Sequence, residues 1–477
     1  MRRTKIVATI GPASSSIQVL EKMIQAGVDV VRINFSHGSK EEHIEYAELT
    51  RSLARSTGMT VGLLADLQGP KIRIGKFEDG KIMLKTGDAF VLDAECNLGN
   101  QERVGLDYKE LPNDVGIGST LILDDGRIVL GVSRVKGHQI YCTVEQGGVL
   151  SNNKGINRKG GGLSAGALTN KDMEDIKTAA AIKADYLAVS FPRSGADMRQ
   201  ARNLMHEAGG KSLLMAKIER SEAVLALADI LQASDAVMVA RGDLAVEVGD
   251  AAVPALQKRI IRAARFSNKL VVTATQMMES MVSSQIPTRA EVSDVANAVL
   301  DGTDAVMLSS ESASGQYPID AVEAMARVCL EAEKEYLPQH ELRKIKDDVT
   351  DSIEEAIART VMYAADGLKI HAIAALTQSG LTALLMSRRS SNVPIFALSP
   401  QEGTRRKVTL FRGVYPVKFI VGSNDPEIIL NQAENELLQR GVVSIGDLIV
   451  MTIGEPVGKA GGTNTMKIVK VGEYRNV

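Results

Sequence analysis

Residues 213–246 read LLMAKIERSEAVLALADILQASDAVMVARGDLAV, and the fold turns on how this stretch is divided. Two apolar runs, LLMAKIE and AVMVARGD, flank a segment with helical spacing. Each run is short and apolar throughout before it turns polar, the pattern of a strand covered on both faces. Each closes on a charged pair spaced by two. Strand side chains alternate, so Lys217 and Glu219 share one side, and Arg241 and Asp243 do likewise provided the extended backbone continues. Parallel strands finish at the same sheet edge, which predicts a lysine and two carboxylates converging there. Carboxylate oxygens suit a hard divalent cation such as magnesium, and a lysine beside them suits an anion. Salt bridges capping a sheet would use the same residues. Sites of α/β folds lie at the carboxyl ends of strands, however, and that favours a site.

Similar runs recur on either side: 5–10 (KIVATI), 29–33 (DVVRI), 61–65 (VGLLA), 186–191 (YLAVSF), 270–275 (LVVTAT) and 305–309 (AVMLS). With the two above they make eight candidate strands, most followed by helical spacing as in 16–26 and 288–300. Eight βα units predict a closed (β/α)8 barrel of the TIM type; an open doubly wound sheet is the alternative. Between the third and fourth strands the texture changes. Residues 69–162 carry short alternating runs (KIMLKTG, TLILDDGRIVLGV, HQIYCTV) punctuated by Asp79-Gly80 and Asp125-Gly126. This predicts a small inserted β-barrel domain at the barrel mouth, where insertions serve as lids. A polar helical stretch, 340–366, then leads into HAIAALTQSG, VPIFALSP, VYPVKFIV, LIVMTIG and MKIVKV, an open α/β arrangement. The expected division is therefore 1–68 with 163–335 for the barrel, 69–162 for the insert and 336–477 for the C-terminal domain.

The chain has 477 residues, 44% of them hydrophobic, enough for three cores. A net charge of −2 argues against nucleic acid as a partner. Cys96, Cys142 and Cys329 lie far apart with no CxxC, which excludes a disulfide framework and fits a reducing cytoplasm. The N-terminal apolar run is too short for a signal peptide, and no stretch reaches the ~20 apolar residues of a membrane span. A soluble cytoplasmic protein is expected.

Several clusters carry chemistry. In DVVRINFSHG (29–38), Arg32 inside an apolar run is costly unless paired, so it is a candidate two-pronged clamp for a phosphate or carboxylate. Asn34 and Ser36 offer oxygens; His37 is either a ligand or a solvated loop residue. In ADLQGPKIR (65–73), Asp66 closes a strand, Gly69-Pro70 makes a hinge, and Lys71 and Arg73 add positive charge. Thr273 and Thr275 end the seventh strand; β-branching explains both, and Thr275 is the better placed hydroxyl. Met277, Met278 and Met281 are expected in the core. GEPVGKAG (454–461) lacks P-loop spacing, and GGGLSAG (160–166) lacks the dinucleotide context. TQSGLT (377–382) opens a helix with three hydroxyls, a phosphate cradle or a plain N-cap by Ser379. Lying in another domain, it suits an effector better than a substrate.

IVATIGPAS, VVRINFSHG, DLQGPKIR, LLMAKIE, MVARGDL, ATQMMESM and PTRAEVSDVANAVLDGTDAVMLSSESASGQYP, in this order, resemble pyruvate kinase from near residue 4 to the end. The resemblance implies a homotetramer that moves the phosphoryl group of phosphoenolpyruvate to ADP, giving pyruvate and ATP. It assigns magnesium (or manganese) to Glu219 and Asp243, with a second divalent ion arriving on the nucleotide. Lys217 would neutralise the phosphoryl group and the enolate, and Arg32 would clamp the phosphate. Gly242 and Asp243 would contact the substrate carboxylate. Thr275 would lie where the enolate is protonated through water. Asn34, Ser36, His37, Arg73 and Lys154 match nucleotide-side positions. Many members hold potassium near Asn34, Ser36, Asp66 and the Leu67 carbonyl, and carry Glu where this chain has Lys71; little potassium dependence is therefore expected. Ala245 replaces a usual Gly, and SSESA leaves the roles of Glu311 and Ser312 open. Thr377, Ser379, Gly380 and Thr382 match a sugar-phosphate effector pocket. Gln378 stands where some fructose-bisphosphate-activated members place Lys, which points to a sugar monophosphate. A magnesium-dependent barrel aldolase or lyase, and an inactive sugar-phosphate sensor, are the competing readings. ADP dependence separates the first, and intact Arg32, Lys217, Glu219 and Asp243 argue against the second.

Overall fold

The computed structural model describes residues 1–124, 126–335, 350, 352–389, 391–458 and 461–473. Eight strands, β1 (Lys5–Thr9), β2 (Val30–Asn34), β3 (Gly62–Asp66), β4 (Tyr186–Val189), β5 (Leu213–Ile218), β6 (Ala236–Ala240), β7 (Leu270–Ala274) and β8 (Ala305–Leu308), close into a barrel. All pairings are parallel, and β8 returns to β1 with Lys5 opposite Ala305. Closure removes the open-sheet alternative. The strands show no polar alternation because both faces are covered. Inward residues such as Val7, Leu64, Met215 and Met238 fill the lumen. Outward ones such as Ile6, Leu63, Leu214 and Val237 pack beneath the helices.

A two-strand repeat fixes the amino-terminal end of the barrel. Asp29, Asp185, Asp235 and Asp304 each stand one residue before β2, β4, β6 and β8. Each carboxylate accepts the amide of the preceding strand: Ile6 at 2.8 Å, Leu63 at 2.9 Å, Leu214 at 2.8 Å and Val271 at 2.8 Å. Each also meets a cation. Arg2 and Arg202 serve Asp29 and Asp235, both at 2.9 Å. Arg406 (3.0 Å) and Arg388 (2.7 Å) serve Asp185 and Asp304. These last two belong to the C-terminal domain, which therefore docks on the barrel end opposite the strands' carboxyl termini. One apolar cluster runs from the barrel lumen into that domain through Ala383, Met386, Val408 and Phe411.

The insert leaves β3 through Gly69, whose left-handed φ of 67° leaves no room for a side chain, since a Cβ there would fall 2.7 Å from Ser190 Cβ. It is a curled six-stranded sheet around its own core, with two two-stranded pairs beside it. The C-terminal sheet comprises β9 (Ile370–Leu376), β10 (Ile395–Ser399), β11 (Val414–Lys418), β12 (Leu448–Gly454) and β13 (Thr463–Lys470). Its order is β11-β10-β9-β12-β13, parallel except for β13. Of the polar helical stretch, residues 340–349 and 351 lie outside the described residues, as do Asp125 and Lys459; Ile353–Gly367 is a helix.

Candidate active site

The carboxyl ends of β1, β2, β3 and β5 bring a compact ionic network together. Lys217 Nζ donates to Ser190 Oγ at 2.8 Å and lies 2.9 Å from Glu219 Oε1 and 3.4 Å from Asp66 Oδ1. Arg32 Nε donates to Asp66 Oδ2 at 2.7 Å, and its Nη1 to Thr9 Oγ1 at 2.9 Å. Asp66 and Glu219 are buried. Burial works against the Lys217 ammonium, but Asp66 and Glu219 outweigh it and raise its pKa above the usual lysine range. Burial likewise opposes ionisation of Asp66, and Lys217 with Arg32 more than offsets it, so that carboxyl titrates low. Glu219 is held above the ordinary carboxylate range, first by burial and then by Asp243, with Lys217 pulling the other way.

One expectation fails at β6. The backbone does not stay extended beyond Ala240; the helix Arg241–Val248 starts at once. Arg241 and Asp243 therefore sit in a first helical turn and diverge. Arg241 is buried against Asp294 and the carbonyls of Thr275 and Gln276. Asp243 lines a large cleft with Arg32, Gly242 and Thr275, and Lys71 Nζ lies 3.6 Å from it. Strand seven also stops short, at Ala274, and Thr275 follows in a left-handed turn with φ 65°. Its hydroxyl accepts Gly242 N–H at 2.8 Å.

Glu219 Oε1 and Asp66 Oδ1 are buried yet accept no hydrogen bond; their nearest counter-charge is the Lys217 ammonium. Among the described residues no group of three or more His, Cys, Asp or Glu forms a closed metal cage. Glu219, with its buried Oε1 free of any other donor, and Asp243, in the cleft wall and near enough to raise the Glu219 pKa, leave coordination open, which suits magnesium with waters and substrate oxygens in its shell. The residues present fit a divalent cation.

Other predicted positions are distributed unevenly. Asn34 and His37 line the cleft, and Asn34 Oδ1 also accepts Ser36 N–H at 3.2 Å. Arg73 donates to the Asn153 carbonyl at 3.2 Å, and Lys154 pairs with Asp124 at 2.7 Å, which ties both into the insert. The Leu67 carbonyl accepts the Ser190 hydroxyl at 2.7 Å. Glu311 accepts amides of Met278 (3.2 Å) and Ser309 (2.7 Å), and Ser312 donates to the Thr9 carbonyl at 2.9 Å; both brace loops beside the site. Met277, Met278 and Met281 are core. Sequence reasoning passed over Pro12 and Tyr46 on the barrel and Lys159 on the insert, which also line the cleft. A lysine beside three glycines was the visible signal for Lys159.

In the C-terminal domain Thr377, Ser379 and Thr382 line a smaller pocket between the β9 and β12 loops. The helix Leu381–Arg388 has Gly380, at φ 89°, in its N-cap position, and Ser379 Oγ accepts Leu381 N–H at 3.4 Å. Thr377 Oγ1 accepts Gly380 N–H at 2.8 Å, and the Thr382 hydroxyl lies 2.7 Å from that of Thr463.

A closed barrel with a buried cation–carboxylate network at its carboxyl-terminal rim, an inserted sheet over the cleft and a docked α/β domain mark a barrel enzyme that handles an anionic substrate. The family model for the pyruvate kinase barrel domain matches residues 1–322, and that for the pyruvate kinase alpha/beta domain matches residues 355–469. Pyruvate kinase II of Salmonella typhimurium is 54% identical over 99% of both chains. The pyruvate kinase of Haemophilus influenzae is 53% identical over 95% of this chain and 96% of its own. That of Buchnera aphidicola from Acyrthosiphon pisum is 52% identical over 99% of both. The chain belongs to the pyruvate kinase family and is a phosphotransferase.

Proposed function

We propose that the cleft transfers the phosphoryl group of phosphoenolpyruvate to ADP with the residues in the following roles. The observation that carries the reading is the Arg32–Asp66–Lys217–Glu219 network, a buried guanidinium and a partly buried ammonium balanced by two buried carboxylates at one rim. Arg32, aimed by Asp66 and Thr9, clamps the phosphate. Lys217 neutralises charge on the phosphoryl group in flight and then on the enolate. Glu219 and Asp243 hold magnesium or manganese, which polarises substrate oxygens when bound. The backbone amide of Asp243 receives the substrate carboxylate, with Gly242, whose own N–H goes to Thr275, beside it. Thr275 holds the water whose proton goes to the methylene carbon of enolpyruvate. Asn34, Ser36, His37, Arg73 and Lys154 serve the nucleotide side, and the flat apolar faces of Pro12 and Tyr46 suit its base. Positioning and charge neutralisation supply nearly all of such catalysis. Rapid formation of pyruvate and ATP that requires both ADP and magnesium tests the reading; ADP-independent cleavage of a keto acid would sink it in favour of an aldolase or lyase.

Lys71 carries a permanent charge into the cleft, 3.6 Å from Asp243. In our reading it replaces the potassium that Asn34, Ser36, Asp66 and Leu67 would otherwise hold. Exchanging potassium for a large organic cation should leave turnover nearly unchanged, and a many-fold loss would refute this. Thr377, Ser379, Gly380 and Thr382 bind a sugar monophosphate that activates the enzyme. Unmoved phosphoenolpyruvate saturation curves across a panel of sugar phosphates would remove that idea. The domains divide at 1–68 with 163–335, 69–162 and 336–477. No helix among the described residues is long and apolar enough to cross a membrane, and we place the enzyme in the cytoplasm as a homotetramer.

A further inference from the structure

Thr275 and Gln276 are consecutive L residues at φ 65° and 53°. Left-handed backbone is uncommon outside glycine, and more so for a β-branched residue; it is strained and persists only where its surroundings hold it. Here a buried arginine does the holding. Arg241 Nη2 donates to the carbonyls of Thr275 and Gln276 at 2.7 and 2.8 Å, and Nε reaches the Thr275 carbonyl at 3.2 Å. Its Nη1 pairs with Asp294 at 2.6 Å, which fixes the fork in the plane of the turn. The planar guanidinium can span two carbonyls; a lysine ammonium cannot do so with the same geometry.

The next residue completes the arrangement. Gly242 N–H donates to Thr275 Oγ1 at 2.8 Å, and that hydroxyl donates to the Ala274 carbonyl at 2.6 Å. The only proton of the hydroxyl is thus spent on backbone, and one lone pair remains for a water. Because Arg241 and Gly242 are adjacent, one helix start grips the turn by its carbonyls and by its hydroxyl together.

We infer that Arg241 is a positioning residue for the protonation half of the reaction: by holding the Thr275–Gln276 turn left-handed it sets where Thr275 Oγ1 presents its water to the enolate. The inference rests on the role proposed above for Thr275. In that step the water gives a proton to the methylene carbon, the C=C electron pair forms the new C–H bond, the enolate oxygen becomes the ketone, and solvent reprotonates the hydroxide. Arg241 touches no substrate, and its effect falls on proton transfer rather than on the phosphoryl group.

The test compares Arg241→Lys and Thr275→Ala with the parent enzyme. Exchange of the methyl hydrogens of pyruvate with solvent deuterium, followed by NMR in the presence of magnesium and ATP, reads the protonation half alone. Arg241→Lys should slow exchange at least tenfold while the KM values for phosphoenolpyruvate and ADP stay within about twofold. A merely structural role would lower thermal stability and leave the exchange rate per folded enzyme alone, and that result overturns the inference. Should Arg241→Lys not fold, Asp294→Asn loosens the same fork and should slow exchange severalfold; unchanged exchange there counts equally against it. Unchanged exchange in Thr275→Ala removes the role of Thr275 itself, whereas slowed exchange in Thr275→Ala with normal exchange in the Arg241 variant removes only the inference.

Discussion

Lys217→Met should separate chemistry from folding. Methionine fills most of the space of the lysine stem, so the loss is one of charge. Asp66 keeps Arg32 at 2.7 Å, whereas Glu219 loses its ion pair with Lys217 and keeps the Phe191 amide at 2.8 Å. Removing one partner of a buried pair costs about 3–5 kcal/mol, and the surviving amide bond places this case at about 3 kcal/mol in the metal-free protein. Magnesium supplies the missing positive charge, so it should raise the melting temperature of the variant more than that of the parent. Catalysis has no such substitute. Removing a single preorganised donor costs about 10²–10³ in kcat, and Lys217 meets developing charge in both halves of the reaction, so a loss of at least about 10³ is expected. The assay is phosphoenolpyruvate- and ADP-dependent formation of pyruvate, beside thermal melts with and without magnesium. Turnover within tenfold of the parent would refute the role given to Lys217.

Three further variants probe the scaffold. Asp304 is almost fully buried, accepts Val271 N–H and pairs with Arg388 of the C-terminal domain; Asp304→Asn strands that guanidinium and should cost about 3–5 kcal/mol in denaturant unfolding, whereas Asp29→Asn, whose carboxylate is 21% exposed, should cost about 1. Equal effects would contradict the docking described here. Glu247, which accepts Ser221 N–H at 2.8 Å, is pushed up to about 7 by burial, with Glu222 adding to the effect. A raised acid binds protons in the folded state that the unfolded chain has released, so stability falls as pH climbs from about 4.5 to about 7, by at most about 3 kcal/mol. Glu247→Gln should flatten that slope and be the more stable form above pH 7; a variant melting parallel to the parent across pH 5–8 would contradict the assignment.

The strands were legible because parallel barrel strands are buried on both faces, and uninterrupted runs such as YLAV, LLMAKI and AVMVA announce them. Lys217 and Glu219 were legible for the same reason, since period-two alternation holds up to the end of β5. It failed directly after β6, where a helix begins at Arg241 and turns the two charges apart. The left-handed turn at Thr275 was hidden, because a threonine after an apolar run looks like one more strand residue and only tertiary contacts impose the positive φ. The aspartates at 29, 185, 235 and 304 were in view as a recurrent Asp before every second strand. Their meaning needed the closed barrel, in which each carboxylate reaches the neighbouring strand. Arg73 and Lys154 were placed on the nucleotide side by resemblance, and the curl of the insert, which no local pattern encodes, ties Arg73 to the Asn153 carbonyl and Lys154 to the Asp124 carboxylate.

Magnesium dependence tests most directly the divalent ion proposed between the β5 and β6 termini. Steady-state pyruvate formation from phosphoenolpyruvate and ADP, with magnesium as the varied component, should show a saturable requirement. Chelation should abolish turnover, and Glu219→Gln should raise the magnesium needed for half-maximal rate at least tenfold. Turnover that survives chelation, or a Glu219→Gln enzyme with the parent's magnesium curve, would contradict it.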